Sequence, residues 1–353
     1  MLIDTQNKMN GEELTEQETA LYDRQIRIWG ADAQRRLSKS HILVSGITGT
    51  IVEFCKNVVL AGIGSLTLMD DRLVSEKDLL VNFLIPPDED KYKEKTIAEV
   101  CSDSLRDFNP MVSVSFEKGS LSGCEDGFFD KFDTVIIGRC SLNNKKEMNI
   151  KCRKRQKKIA FYTVDCRDSC GEIFVDLQSC KYQKKTVDGT AECFMQYPSF
   201  EEAISVSWSS LPKNVSKMYF AMRGNVLKDF TFSIHSFEYI PDYYFAVIEK
   251  FEQDAGRNPG ETSSEDLQKL LEFWQNMCQT NSLKESLIPV ALLERLLVFT
   301  EEHPPVCAII GGILGQEVIK AISGKGEPLK NFFFFDAATG KGTIEDISPR
   351  TDG

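Results

Sequence analysis

The chain has 353 residues, of which 42% are hydrophobic and 10% aromatic, so it is long enough to bury a sizeable core. Its net charge is −11, from 42 Lys and Arg against 53 Asp and Glu, which argues against a broad nucleic-acid-binding surface and against attachment to an anionic membrane. The composition therefore favours proteins and small molecules as partners.

The cysteine usage points to a reducing compartment. The eleven cysteines are an odd number without any C-x-x-C pair, and the first twenty residues are polar and acidic, unlike a signal peptide. This pattern predicts reduced thiols in an intracellular protein. The longest stretch of small apolar residues, Val306 to Gly315, is shorter than the ~20 residues that cross a bilayer, so no membrane span is predicted.

The N-terminal half alternates between helix and strand patterns. A helix is predicted from Thr15 toward Trp29, because Thr15 and Glu18 have the spacing of a capping box. The next segment predicts a βαβ unit with parallel strands joined by a right-handed crossover. Its strand, turn, helix and second strand are Ile42–Ser45, Gly46, Thr50–Ala61 and Leu66–Asp70.

The alternation continues to about residue 178. Further helix patterns cover Glu94–Asp107 and Lys145–Arg155, and further strand patterns cover Val112–Phe116, Thr134–Ile137, Ala160–Val164 and Glu172–Leu177. Such alternation is typical of a doubly wound α/β sheet with a Rossmann-like order of elements. Residues 12–178 are therefore predicted to form the first part of this domain, after a disordered N-terminus at 1–11.

Residues 179–300 are predicted to be a mixed, mostly helical insertion. Helical spacing of apolar residues marks its later part, at Tyr244–Asp254, Glu265–Cys278 and Lys284–Thr300. Residues 301–349 return to the domain, with a helix after Pro304 and a strand over Asn331–Asp336 that leads into Gly342–Ile347. Four consecutive phenylalanines in the first strand predict that both of its faces are covered.

The glycine turn departs from the pattern G-x-G-x-x-G, in which bare backbone approaches a phosphate at the start of a helix. Gly46 fills the first position and Gly49 follows, but Thr48 and Ile51 occupy the second and third glycine positions. Thr48 adds a β-branched side chain beside the phosphate position, and Ile51 adds bulk where the helix approaches the sheet. Gly46 and Gly49 are therefore candidate cofactor-binding residues of a degenerate site that we expect not to bind.

Asp70 is the third candidate of this degenerate site. It ends the second strand about 20 residues after the turn, where a carboxylate accepts hydrogen bonds from ribose hydroxyls in dinucleotide-binding folds. Because Asp71 follows directly and acids are common at strand ends, a solvated loop acid is the favoured interpretation. No residue pattern predicts a metal site.

Four segments together resemble the ubiquitin-like-modifier-activating enzymes. They are Leu21–Gly30, which contains Tyr-Asp-Arg-Gln, the turn at Gly46, Leu60–Gly64 and the late segment Gly311–Lys320. The resemblance covers residues from about 12 to 348, and the chain length is most similar to the smaller, Aos-type subunits of the SUMO-activating branch. It implies a ThiF/MoeB-like adenylation domain.

The resemblance also implies a heterodimer of two related adenylation domains, of which only the larger, catalytic partner binds ATP and Mg²⁺. That partner would also carry a structural zinc and the cysteine that accepts SUMO as a thioester. This chain fits the other half, because Asp78–Asn82 lacks the arginine of an active half, and Gly138–Cys140 stands where an active half has an aspartate. No cofactor is therefore expected on this chain, and little activity is expected from it alone.

Arg24 is the one catalytic residue that the resemblance transfers. In the family, the arginine of the Tyr-Asp-Arg-Gln segment reaches into the partner's nucleotide site. A guanidinium there stabilises charge that develops on phosphate oxygens during adenylation of the modifier's C-terminal glycine. The competing interpretation is an arginine that pairs with an acid three or four residues earlier. Arg27, one turn later, is expected to be a structural ion-pair residue.

Two further groups of residues favour structural roles. The cysteines at 166, 170, 180 and 193 fit no zinc spacing, so ordinary reduced thiols are predicted. The basic run Lys151–Lys158 is either a nuclear import signal or a set of cations at a helix end, and the structural interpretation is favoured. We expect a nuclear protein, with the cytoplasm as the second possible location.

Gly311, Gly312 and Gly315 on one helix predict close packing near the subunit interface.

Three competing functions stay open at the level of sequence. One is an oxidoreductase with a degenerate dinucleotide turn, which would bind NAD(P). The second is a scaffold that only stabilises the partner, for which Arg24 would be dispensable. The third is the equivalent subunit for another modifier such as NEDD8, whose version is typically longer.

Overall fold

A mixed sheet of eight strands organises the part of the chain that the computed structural model describes, namely residues 14–187, 189–206, 211, 215–219, 263–280, 289–297 and 301–349. The strands follow the order β10-β9-β6-β5-β4-β1-β2-β3, and β7 and β8 form a separate antiparallel pair. The strands are β1 His41–Ser45, β2 Ser65–Met69, β3 Ser113–Phe116, β4 Thr134–Gly138, β5 Ala160–Arg167, β6 Cys170–Asp176, β7 Ser179–Thr186, β8 Gly189–Gln196, β9 Phe332–Asp336 and β10 Lys341–Glu345.

Helices connect the strands and cover the sheet. They are α1 Glu16–Leu21, α2 Asp23–Trp29, α3 Ala31–Ser38, α4 Gly49–Ala61, α5 Glu76–Val81, α6 Ile97–Arg106, α7 Leu142–Arg153, α8 Phe200–Ile204, α9 Ser263–Thr280, α10 Val290–Leu297 and α11 Pro304–Ser323. The strands β3, β2, β1, β4 and β5 are parallel, whereas β6, β9 and β10 each run antiparallel to their neighbours. The prediction of a doubly wound, Rossmann-like α/β domain is confirmed.

Apolar side chains bury both faces of the sheet, and β9 shows this most directly. Phe332 and Phe334 belong to the buried cluster on one face, whereas Phe333 belongs to the cluster on the other. Alternate side chains of a strand point to opposite faces, so four consecutive phenylalanines are stable only where both faces are covered. The prediction made from this run is confirmed.

The predicted N-terminal helix is broken at Tyr22. Thr15 does begin α1 with a capping box, in which its hydroxyl accepts the Glu18 N–H and the Glu18 carboxylate accepts the Thr15 N–H. Tyr22 then separates α1 from α2 and turns its ring into the core, where the residue is 2% exposed. Its hydroxyl accepts a hydrogen bond from Asn109 Nδ2 at 2.9 Å. Burial of this ring therefore explains the break.

The segment that follows the first part of the domain begins with strands. β7 and β8 form a hairpin at 179–196, ahead of the short helix α8. The later helices α9 and α10 lie where helical spacing predicted Glu265–Cys278 and Lys284–Thr300. The predictions for residues 1–11 and for Tyr244–Asp254 lie outside the described residues.

The helix α11 is longer and more apolar than the stretch Val306 to Gly315 suggests. It has 20 residues, and an 18-residue stretch within it has a mean hydropathy of 1.5, which by length and composition is enough to cross a membrane. More than half of this segment is buried inside the fold, because α11 packs along α4 and against β5 and β6. Its apolar composition is thus that of a core helix.

The glycines of α11 explain this packing. A Cβ atom at Gly311 would lie 2.6 Å from the Glu53 Cβ and 2.7 Å from the Thr50 carbonyl oxygen, and one at Gly315 would lie 3.2 Å from the Asn57 Cβ. The predicted close packing is confirmed at these two positions, where α11 packs against α4 of the same chain, and its location near the subunit interface stays a prediction. Gly312 has no atom within 4 Å of such a Cβ and faces open space.

Candidate functional site

The glycine turn lies at the switch point of the sheet, between the carboxyl ends of β1 and β4, where open α/β sheets bind ligands. Gly46 has φ +73°, and a Cβ atom there would overlap the Gly138 carbonyl oxygen. Only glycine fits this conformation and this spacing. The two chain segments are thus in direct backbone contact at the crevice.

The first N–H groups of α4 bind a carboxylate of the chain itself. Glu302, which lies just before α11, accepts hydrogen bonds from the Gly49 N–H at 2.6 Å and from the Thr50 N–H at 3.3 Å. The Thr50 hydroxyl donates a third bond to it at 2.8 Å. Helix N-termini attract anions because their N–H groups lack partners and carry partial positive charge. Glu302 therefore occupies the position that a phosphate takes in a nucleotide-binding turn.

The remaining contacts of the turn are internal as well. Thr48 caps α4, and its hydroxyl accepts the Ile51 N–H at 3.4 Å, so the residue at the second glycine position contributes an acceptor in addition to bulk. Ile51 is buried and packs over Gly138. A Cβ atom added at Gly138 would lie 2.8 Å from the Ile51 side chain. Gly49 lies under Val81 of α5. The predicted loss of space for a phosphate agrees with these contacts.

Asp70 is buried in an ion pair, which corrects the favoured prediction of a solvated loop acid. Its side chain is only 5% exposed, and its carboxylate accepts the Ile47 N–H at 2.8 Å. Arg72 donates to the same carboxylate from Nη2 at 2.8 Å and from Nε at 3.1 Å. Burial lowers the pKa of Arg72, but its bonds to Asp70 more than compensate and raise it above the ordinary value. Arg72 thus covers the carboxylate that would face a ribose.

The structure brings Gly46, Gly49 and Asp70 together as the sequence predicts, but it adds two residues that the sequence analysis missed. Arg72 lies two positions after Asp70, and this acid-x-arginine spacing was a signal that could have been used. Glu302 had no such signal, because 252 residues separate it from Thr50. Glu302 and Arg72 together place one negative and one positive side chain of this chain in the turn.

Arg24 has the opposite surroundings. It lies on the exposed side of α2 and makes no hydrogen bond or ion pair with any residue that the structure describes. Arg27, in contrast, pairs with Asp23 at 2.9 Å, which confirms its predicted structural role. The hypothesis of a local ion pair for Arg24 finds no partner, since the residues three and four positions earlier are Leu21 and Ala20.

Most of the basic side chains at 151–158 form ion pairs or hydrogen bonds with other residues of this chain. Lys151 pairs with Glu147, Arg153 with Asp176, Arg155 with Asp126 and Lys157 with Asp133, and Lys158 donates to Ser179. These contacts support the structural interpretation, because the cations pair within α7 or join its C-terminal end and the residues after it to neighbouring loops and strands. A second internal charge cluster lies nearby, where buried Lys145 pairs with Asp165. Burial raises the pKa of the adjacent Glu172 to about 7.

The four cysteines considered in the sequence do not form one cluster. Cys166 and Cys170 belong to the buried clusters on opposite faces of the sheet, and burial raises the pKa of Cys170 to about 11. Burial also raises the pKa of Cys180. Thiols with raised pKa values are poor nucleophiles at neutral pH. Cys166 instead lies beside Cys307 of α11.

Comparison with known proteins extends these observations. The model of the ThiF family matches residues 22–352. SUMO-activating enzyme subunit 1A of Arabidopsis thaliana is 60% identical over 340 residues, which cover 96% of this chain and 98% of that protein. SUMO-activating enzyme subunit 1 of Danio rerio is 34% identical over 346 residues and covers 96% and 97%. The crystal structure of selenomethionine PaaA, at 13% identity and a TM-score of 0.55, covers 98% of this chain and 79% of that one and shows the shared fold.

Proposed function

This chain belongs to the ThiF family and, within it, to the subunit 1 proteins of the SUMO-activating enzymes, and from that premise we propose how it works. It is the half of a heterodimeric activating enzyme that holds no nucleotide of its own. With a larger catalytic partner, it supports ATP-dependent adenylation of the C-terminal glycine of SUMO and transfer of SUMO to the partner's cysteine. Its own contribution to that chemistry is Arg24.

The single observation that carries this proposal is the carboxylate of Glu302 at the start of α4. A phosphate would need the N–H groups of Gly49 and Thr50, and it would meet a negative charge that already binds them. ATP with Mg²⁺ therefore does not fit this turn as it stands. An adenylation reaction that involves this chain must then use a nucleotide site on another subunit.

The exposed guanidinium of Arg24 supplies what that other site needs. During adenylation the modifier's carboxylate attacks the α-phosphate, and pyrophosphate leaves with its negative charge. A guanidinium that reaches the β- and γ-oxygens from the neighbouring subunit stabilises this charge. Since Arg24 has no partner among the described residues, its placement there breaks no bond within this chain.

Apolar side chains near Arg24 support a protein partner at this surface. On the neighbouring helical turns Leu21 is 56% exposed and Ile28 is 80% exposed. Leu60, at the end of α4, is 46% exposed, and its carbonyl oxygen accepts a hydrogen bond from Gln25. Groups of exposed apolar residues are a feature of protein contact surfaces, and Leu21, Ile28 and Leu60 are candidates for such a group beside Arg24.

ATP–pyrophosphate exchange tests whether the nucleotide site lies on the catalytic partner and not on this chain. The purified chain with Mg·ATP and SUMO should show negligible exchange, because it has no nucleotide site, and exchange should appear when the catalytic partner is added. Exchange of comparable rate by the chain alone would overturn the proposal.

The variant R24A tests the role of the arginine in the same assay. In the reconstituted heterodimer it should lower the rate of exchange about 10²-fold, the usual effect of removing one stabilising donor from a transition state. R27A is the matched control, since Arg27 lies one turn away in a surface ion pair. Equal rates for R24A and the unchanged protein, with heterodimer assembly intact, would leave only the scaffold function.

The oxidoreductase and NEDD8 hypotheses lose support. The relatives are named as subunits of an activating enzyme rather than as oxidoreductases, and the turn has no room for a pyrophosphate of NAD(P). Identity of 60% to a SUMO-activating subunit over nearly the whole chain favours SUMO over NEDD8 as the modifier. We retain the nucleus as the proposed location, with the cytoplasm as the second possibility, and cell fractionation with antibody detection tests it.

A further inference from the structure

Three metal-ligating atoms converge beside the closed turn. The Sγ atoms of Cys166 and Cys307 and a carboxylate oxygen of Glu302 all lie within 4.8 Å of one another. Cys166 lies near the end of β5, Cys307 lies in the first turn of α11, and Glu302 precedes that helix. The three residues therefore come from two elements that the fold packs together. No single stretch of sequence shows their grouping.

The spacing fits a tetrahedral cation with soft ligands. Zn²⁺ binds thiolate sulfur at ~2.3 Å and carboxylate oxygen at ~2.1 Å, which places neighbouring ligand atoms about 3.5 to 3.8 Å apart. The atoms of this cluster already lie within about an ångström of that separation. A change of about an ångström is within the reach of side-chain rotation, so the proposal needs no movement of the β5 or α11 backbone.

The ligands also have the support that metal sites require. The Glu302 carboxylate is oriented by the N–H groups of Gly49 and Thr50 and by the Thr50 hydroxyl. Hydrogen bonds of this kind fix a ligating carboxylate, and Oε2, which accepts only the Gly49 N–H, keeps one lone pair for the metal. Cys166 and Cys307 are 8% and 1% exposed, so they are shielded from solvent, whereas Glu302 is half-buried and leaves a path for entry.

We propose that Cys166, Cys307 and Glu302 form a binding site for one thiophilic divalent cation, with Zn²⁺ as the best fit and water as the fourth ligand. On binding, each thiol S–H bond breaks, a sulfur–metal bond forms, and two protons pass to solvent. Two thiolates and one carboxylate give the occupied site a net charge of −1, next to the positive end of α4. This cation joins the end of β5 to the start of α11 and fixes Glu302 in the turn.

Titration of the full chain, purified alone, reduced and freed of metal, tests this site. Co²⁺ serves as the probe, because its thiolate complexes absorb light, and Zn²⁺ should displace it at one equivalent. C166S and C307S should each lower the affinity at least about tenfold, and E302Q should lower it less. C101S is the matched control, since Cys101 lies beside Cys55 in a second buried thiol pair that has no third ligand atom grouped with it in the described residues.

X-ray absorption of the zinc-loaded, unsubstituted chain gives a readout that does not depend on folding of the variants. The proposal expects two sulfur and two oxygen neighbours per zinc. Four sulfur neighbours, or no sulfur, would overturn it, and so would a cobalt band that persists in both serine variants. A chain that takes up no metal when reduced, and forms a Cys166–Cys307 disulfide when oxidised, would show a redox pair in place of the metal site and would also overturn it.

Discussion

Two arginines of this chain show how differently the glycine turn and the surface of α2 treat charge. Arg72 folds back onto Asp70 at the turn and makes two side-chain hydrogen bonds with its carboxylate. Arg24 extends from α2 without a partner among the described residues. At the turn, Glu302 and Arg72 bind the α4 N–H groups and the Asp70 carboxylate that a nucleotide would contact. On α2, the guanidinium of Arg24 stays exposed.

The proposed function rests on this difference, because under it a nucleotide fold keeps its structure without a nucleotide of its own. Glu302 and Arg72 stand in for ligand groups, so the donors of α4 and the acceptor Asp70 stay satisfied. The strand order and the backbone contact of Gly46 with Gly138 at the switch point then serve the stability of the fold. In the proposed function, the outer surface with the exposed Arg24 is the part of the chain that takes part in the reaction.

The largest effect is expected where the turn depends on backbone contact. G46A should destabilise the chain by about 4 kcal/mol or more, because the added Cβ would meet the Gly138 carbonyl oxygen and the left-handed φ is strained for alanine. G312A is the control, since its Cβ meets no atom within 4 Å, and alanine in a helix should raise stability by up to ~1 kcal/mol. Urea unfolding measures the free energy of unfolding of both variants. Similar values for G46A and G312A would contradict the backbone contact assigned to Gly46.

A smaller effect is expected from removal of the inward arginine. R72A should lower the free energy of unfolding by about 2 kcal/mol, because it leaves the Asp70 carboxylate buried with fewer donors, while the partial exposure of Arg72 moderates the loss. R24A should change it by less than ~0.5 kcal/mol, as expected for an exposed side chain without partners. If the same unfolding experiment gave equal losses for the two variants, Arg24 would have a structural partner.

A smaller loss of stability than for R72A is expected from removal of Glu302. E302A should cost about 1 kcal/mol through loss of the acceptor at the start of α4. The variant should then gain weak binding of inorganic pyrophosphate, because the N–H groups of Gly49 and Thr50 become free to bind an anion. Thermal unfolding with increasing pyrophosphate measures this gain as a rise in midpoint for E302A only. An equal rise in the unchanged chain would contradict the assignment of Glu302.

Local patterns predicted most of the fold. The capping box at Thr15, the βαβ unit around Gly46 and the phenylalanine run of β9 are short-range signals, and each is present in the structure. The break at Tyr22 could not be predicted in this way, because its ring is buried against distant parts of the chain, including Asn109, 87 residues away.

The site was predictable only in part, for the same reason. Thr48 and Ile51 indicated a changed turn from their positions alone. The side chain that fills the turn comes from Glu302, and the neighbour of Cys166 is Cys307, both of which approach only when α11 packs on the sheet. Contacts between distant segments decide what the turn can bind, and a single sequence does not display them.

Calorimetric titration of Mg·ATP into the isolated 353-residue chain measures whether its glycine turn binds nucleotide. We expect no saturable heat at nucleotide concentrations that saturate the heterodimer, since Glu302 and Arg72 already occupy the turn. One saturable site on the isolated chain, lost when Thr50 is changed to tyrosine to block the turn, would contradict it.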